Sequence, residues 1–173
     1  MNPEDYISTP GQKEFEDAFF FEMKEIYYLN QESLPTIPVP HDCTIKTIRV
    51  ENQDIVFVFD DDISSYDSLS WIRPQAKSLV IRYHLVDRVR DYSILHWVKP
   101  NLLNKNGGYK CLADCLTNEN HEILLTLTDS TLRYIDHYIS GYSRSILIEL
   151  FSSSKNEILL EADVDQIEFE WID

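Results

Sequence analysis

Cys43-Thr-Ile-Lys-Thr-Ile-Arg-Val-Glu-Asn52-Gln53-Asp-Ile-Val-Phe-Val-Phe-Asp60 reads as a β-hairpin. With Asn52 and Gln53 as a two-residue turn, Val50 faces Ile55, Ile48 faces Phe57 and Lys46 faces Phe59. Thr47 and Arg49 fall opposite Val58 and Val56 on the other side. One face is apolar and the other mixed, which starts a sheet but supplies no chemistry.

Downstream, the pattern of short apolar runs separated by polar turns continues. Lys77 to Val86 and Asp91 to Val98 read as two strands joined by a hairpin-length connection over Asp87 to Arg90. Tyr109 to Leu116 and Glu122 to Thr128 form another hairpin after the loop Asn101 to Gly108. Leu132 to Ile139, Ser145 to Phe151, Glu157 to Ala162 and Gln166 to Ile172 complete a meander, with turns at Ser152 to Ser154 and Asp163 to Asp165. In the last of these, Ile167, Phe169 and Trp171 alternate with Glu168 and Glu170, as a half-exposed strand requires.

Upstream, Phe15, Phe19, Met23 and Ile26 follow a helical step, so Lys13 to Gln31 is expected to form one amphipathic helix. Leu34 to Pro40 carries three prolines and reads as an extended connector, while residues 1–11 form a loose lead-in. The expected class is therefore α+β, a single domain over 1–173. About nine mostly antiparallel strands would make a β-sandwich or partly open barrel, with one N-terminal helix.

The 173 residues carry a formal net charge of −15, which argues against nucleic acid and anionic membrane as partners and favours a basic protein. Acidity is concentrated at the ends. Met1 to Leu34 and Leu147 to Asp173 hold eight acids each, whereas Arg73 to Lys110 holds eight Lys and Arg against Asp87 and Asp91. Two readings follow: the basic middle lies against the acidic ends within one fold, or the acids form a face for a cationic protein. Three cysteines, no apolar run of membrane-spanning length and no secretion signal point to a cytoplasmic protein with reduced thiols.

Motifs for catalysis or metal binding are weak. His41-Asp42 lacks further ligands at set spacing, and its expected role is structural, with Asp42 bonding nearby backbone. Asp60-Asp61-Asp62 lacks the spacing of a calcium loop. On a strand, Cys111 and Cys115 are about 13 Å apart, too far for one zinc or a disulfide. Gly141-Tyr-Ser143-Arg-Ser145 lacks the last glycine of a nucleophile elbow. No catalytic residue, cofactor or metal is assigned. His84, His96 and His137, each among aromatics, are the candidates for a pocket, with His84 and His96 sharing a sheet face only in one hairpin register.

Pro40-His41-Asp42-Cys43-Thr44-Ile45, followed by the hairpin ending in Phe57-Val58-Phe59-Asp60, resembles the opening of small β-rich bacterial proteins, including immunity proteins of polymorphic toxin systems. That resemblance implies a bacterial cytosolic protein that neutralises a toxin by binding it. The functional expectation is a non-catalytic protein-interaction module contacting a basic partner through Asp60, Asp61, Asp62, Glu168 and Glu170. The alternatives are a small-ligand binder or enzyme with a histidine and aromatic pocket, and a structural homo-oligomer subunit.

Overall fold

A computed structural model describes residues 23–29, 37–60, 62–86, 92–103, 105–113, 131–153 and 156–173. Among the described residues, nine strands form one hydrogen-bonded, antiparallel sheet: β1 (Met23–Tyr28), β2 (Thr44–Glu51), β3 (Asp54–Phe59), β4 (Ser78–Leu85), β5 (Tyr92–Val98), β6 (Gly108–Ala113), β7 (Leu132–Ser140), β8 (Ser145–Ser152) and β9 (Asn156–Ile172). Helix among the described residues is confined to a 3₁₀ turn at Ile63–Ser65 and the single turn α1 (Asp67–Ser70). No helix among the described residues is long and apolar enough to cross a membrane.

The β2–β3 hairpin pairs as its alternation predicts, with Val50 against Ile55, Ile48 against Phe57, Arg49 against Val56 and Thr47 against Val58. Asn52 takes the left-handed backbone conformation (φ 54°), which Asn tolerates better than most residues. The expected Lys46–Phe59 pair is corrected. A bulge between Ile45 and Thr47 shifts the register and brings Ile45 opposite Phe59, so an apolar residue rather than a lysine meets the core.

The 17-residue strand β9 organises the sheet. Its first half, to Asp163, lies between β8 and β5, and its second half lies between β1 and β4. Residues 163–165 were expected to form a turn between two strands; instead the register slips by one residue there, between Gln166, opposite His84, and Val164, opposite Leu85. The slip changes which residues face inward: Ile158, Leu160, Ala162 and Val164 are buried before it, and Ile167, Phe169 and Trp171 after it. One extra residue thus lets both halves bury the same face of the sheet.

From β4 the ladder runs through β3 and β2 to β7 and β8, and so back to β9. The β2–β7 link consists of two residue pairs, and the sheet is not a clear barrel. The enclosed face packs aromatics edge to face: Phe57 lies 5.3 Å from Tyr83 and 6.0 Å from Tyr134, and Tyr27 lies 5.4 Å from Phe169.

Two further expectations are corrected. Residues 23–28, assigned above to a helix, are a strand; the remainder of Lys13 to Gln31, apart from Leu29, lies outside the described residues. Met23–Tyr28 completes the open edge of β9, where Lys24 faces Glu170 and Tyr27 reaches Phe169, interactions that an isolated helix would forgo. β4 and β5 do not form a hairpin with each other either. Both pair with β9 in succession, so the hairpin register that would have set His84 and His96 on one face does not occur. Of the expected hairpin after residue 108, β6 is present, while Glu122 to Thr128 lies outside the described residues.

Candidate functional site

Across the second half of β9, the outward side chains form a neutralised charge network. Lys24 Nζ lies 3.1 Å from Glu168 and 3.8 Å from Glu170, and Arg82 lies 3.8 and 3.6 Å from the same two carboxylates. Arg82 also reaches Glu51 at 3.2 Å, and Arg49 pairs with Glu51. Glu168 and Glu170 therefore keep only 18% and 14% of their side-chain surface exposed. On the inner side of β1, Arg73 bonds Glu25. Burial alone would raise the Glu25 carboxyl, but hydrogen bonds from Tyr27 and Arg73 and the Arg73 charge hold it below its ordinary value. Basic residues of the middle thus meet acids of both ends, the first of the two readings of the charge split.

The first half of β9 differs. Pairing aligns Asp136 with Glu149 and Leu159, Tyr138 with Leu147 and Glu161, Phe151 with Glu157, and Ser145 with Asp163. These residues alternate with the buried Ile146, Ile148, Leu150, Ile158, Leu160 and Ala162, so they share the outward face. Among the described residues, no ion pair engages Asp136, Glu149, Glu157, Glu161 or Asp163.

Neighbouring groups register the resulting negative field. The Glu149 carboxyl is raised by burial and then by the charges of Glu157 and Asp136. Tyr109, on β6, is pushed up to about 12, first by its hydrogen bond to Glu157, with burial and the Glu157 and Glu149 charges adding. Tyr109 stacks edge-on against Trp97 at 5.2 Å, and Tyr138 is 57% exposed, so aromatic rings border the carboxylates. The five acids are unremarkable one by one in the sequence. Their odd-numbered alternation from Glu157 to Asp163, against an even-numbered apolar row, is the signal that marks the outward face.

The other candidates are dispersed. His84 projects from β4 on the side opposite the buried Tyr83 and pairs with Asp54 at 2.7 Å. His137 turns inward, its Nδ1 2.8 Å from the Tyr134 hydroxyl, which lies 2.9 Å from that of Tyr83. Burial pushes His137 down to about 4. His96 lies on β5 opposite Ile158 and Lys110. Asp62 accepts hydrogen bonds from Ser64 and Ser65 beside the 3₁₀ turn, Asp60 donates its backbone N–H to Thr44, and Asp61 lies outside the described residues.

His41 Nδ1 lies 2.6 Å from the Ile135 carbonyl, and Asp42 faces His41 at 3.4 Å and Arg133 at 3.8 Å. The dipeptide anchors β7, and Asp42 contributes its carboxylate to side chains rather than to backbone; its own N–H bonds the Tyr134 carbonyl. Cys43 is buried and its thiol pushed up to about 12, chiefly by desolvation, which leaves it protonated. Cys111 lies on β6, and Cys115 lies outside the described residues. No group of three metal-ligating side chains occurs among the described residues.

A cavity of about 640 Å³ opens between β1, the proline connector and α1, lined by Glu25, Tyr27, Val39, His41, Ser68 and the 78% exposed Trp71. His84, His96 and His137 do not line it. Compared with protein-family models, with curated proteins and with solved structures, the chain matches none.

Proposed function

We propose that this chain is a non-catalytic protein-interaction module that docks a basic protein on the outward face of β7, β8 and the first half of β9. The observation that carries this reading is the contrast between the two halves of one sheet. Glu168 and Glu170 are engaged by Lys24 and Arg82, whereas among the described residues Asp136, Glu149, Glu157, Glu161 and Asp163 have no such partners. Like charges held close on a rigid sheet cost stability, and a cationic surface recovers that cost on binding while speeding encounter. The contact residues move accordingly from Glu168 and Glu170 to this second set. The narrower reading, a cytoplasmic bacterial immunity-type inhibitor of a basic toxin, is supported by the resemblance of residues 40–60.

Affinity capture from the native cytosol, run in parallel with the wild-type chain and a Glu149→Lys/Glu161→Lys variant, tests the module reading. The expected result is that basic proteins held by the wild type at low salt are lost from the variant and released as salt rises. The same proteins retained by both chains, regardless of salt, would contradict it.

A second reading, small-ligand binding, is favoured by the cavity beside Glu25. It predicts that a ligand shifts the fluorescence of the rim residue Trp71 and that Trp71→Phe removes the response. A ligand that stabilises the chain with no change at Trp71 would contradict it.

A further inference from the structure

The outward face holds a hollow of about 190 Å³ at the end of the β7–β8 hairpin, lined by Tyr138, Ser140, Ser145, Leu147 and Glu161. Tyr138, Leu147 and Glu161 form one cross-strand row. The ring and the carboxylate therefore stand two strands apart, roughly 10 Å, with Leu147 as the floor between them. Tyr138 is more than half exposed, and the Glu161 carboxylate has no ion-pair partner among the described residues.

The geometry points to this hollow as the seat of an arginine side chain from the basic partner, an inference that rests on the docking-face reading above. A guanidinium is planar and weakly hydrated. It stacks on an aromatic ring while donating paired N–H groups to a carboxylate. An ammonium offers neither the plane nor the fork. An aromatic wall, an apolar floor and a carboxylate at the far side therefore select arginine over lysine, where an acidic cluster alone would not discriminate.

The same face carries an internal precedent. Arg133 lies with its guanidinium carbon 5.5 Å from the centre of the Phe151 ring and its Nη1 3.8 Å from Asp42 Oδ1. Arg133, Phe151 and Glu157 form a row parallel to that of Tyr138, Leu147 and Glu161, with Asp136, Glu149 and Leu159 between them. In the first row the chain supplies its own arginine, which pairs with Asp42 rather than Glu157; in the second, the ring and carboxylate have none among the described residues.

Fluorescence anisotropy with labelled decaarginine and decalysine peptides, on the full chain at low salt, tests this. The expected result is tighter binding of decaarginine, with Tyr138→Leu or Glu161→Gln weakening it about tenfold and bringing it to the decalysine level. Glu51→Gln, in the neutralised network, leaves both peptides unchanged, and unaltered melting curves exclude misfolding. Equal affinity for the two peptides, weakened alike by Glu149→Gln, would overturn the arginine seat while leaving the docking face standing. Binding of neither peptide, or binding indifferent to Glu149 and Glu161, would overturn both.

Discussion

Asp136 on β7 and Glu149 on β8 stand directly opposite each other in the antiparallel ladder. A cross-strand pair of like charge destabilises a sheet, and the Glu149 carboxyl is raised first by its burial and then by the charges of Glu157 and Asp136. Glu149→Gln is therefore expected to stabilise the fold by about 0.5 kcal/mol at low salt and by less at high salt. The sign with pH follows from the raised value in the folded state: protonating Glu149 favours the fold, so the advantage of glutamine fades as pH falls. Urea denaturation at two salt concentrations and two pH values measures it, and a destabilised variant would count against the pairing.

His137 sets a second pH dependence. Folding holds it neutral down to about 4, against 6.5 for a free imidazole. Because the folded value is depressed, the stability linked to neutral His137 is complete above about 6.5. It is lost as pH falls towards 4, by roughly 3 kcal/mol over the full shift. His137→Gln is expected to flatten the stability curve between these values. An unchanged slope would show that other groups dominate it.

The Arg73–Glu25 pair joins the basic middle to the acidic start beneath β1. A double-mutant cycle with Arg73→Ala and Glu25→Ala is expected to give a coupling of about 1 kcal/mol, limited by the partial exposure of both side chains. The single Arg73→Ala change costs more than the pair is worth, since it leaves the Glu25 carboxylate without its cation. Additive losses would exclude direct coupling.

Much of the sheet was legible in the sequence, because strands with one buried face declare it by alternation. The β2–β3 register from Thr47 to Ile55, the edges of β4, β5, β7 and β8, and the burial of Ile167, Phe169 and Trp171 followed directly. The failures share a physical cause. Asp163 and Asp165 look like turn residues, yet the chain stays extended and absorbs one residue as a bulge. The change from even to odd buried positions after Val164 was the available sign. In β1 the inward row includes Glu25, paired with a distant arginine, so alternation was masked and Met23 and Ile26 read as the continuation of a helical step from Phe15 and Phe19. Which acids keep partners depends on strand neighbours up to 146 residues apart in the chain, as with Lys24 and Glu170, and no local pattern encodes that.

The bulge makes a sharp prediction of its own. Deleting Asp165 leaves β9 without its extra residue, so either Ile158 to Val164 or Ile167 to Trp171 must turn outward. The expected result is loss of cooperative thermal unfolding, whereas Asp165→Asn, which keeps the count, retains it. A deletion variant that melts cooperatively near the wild-type temperature would contradict the register.

Amide chemical-shift mapping during titration with decaarginine separates the two halves of the outward face most directly. The predicted result is that shifts cluster at residues 136–138, 147–149 and 159–161, while Lys24, Arg82, Glu168 and Glu170 stay in place. Shifts centred on Glu168 and Glu170, or spread evenly over all acidic residues, would contradict a docking face created by the acids that have no cationic partner among the described residues.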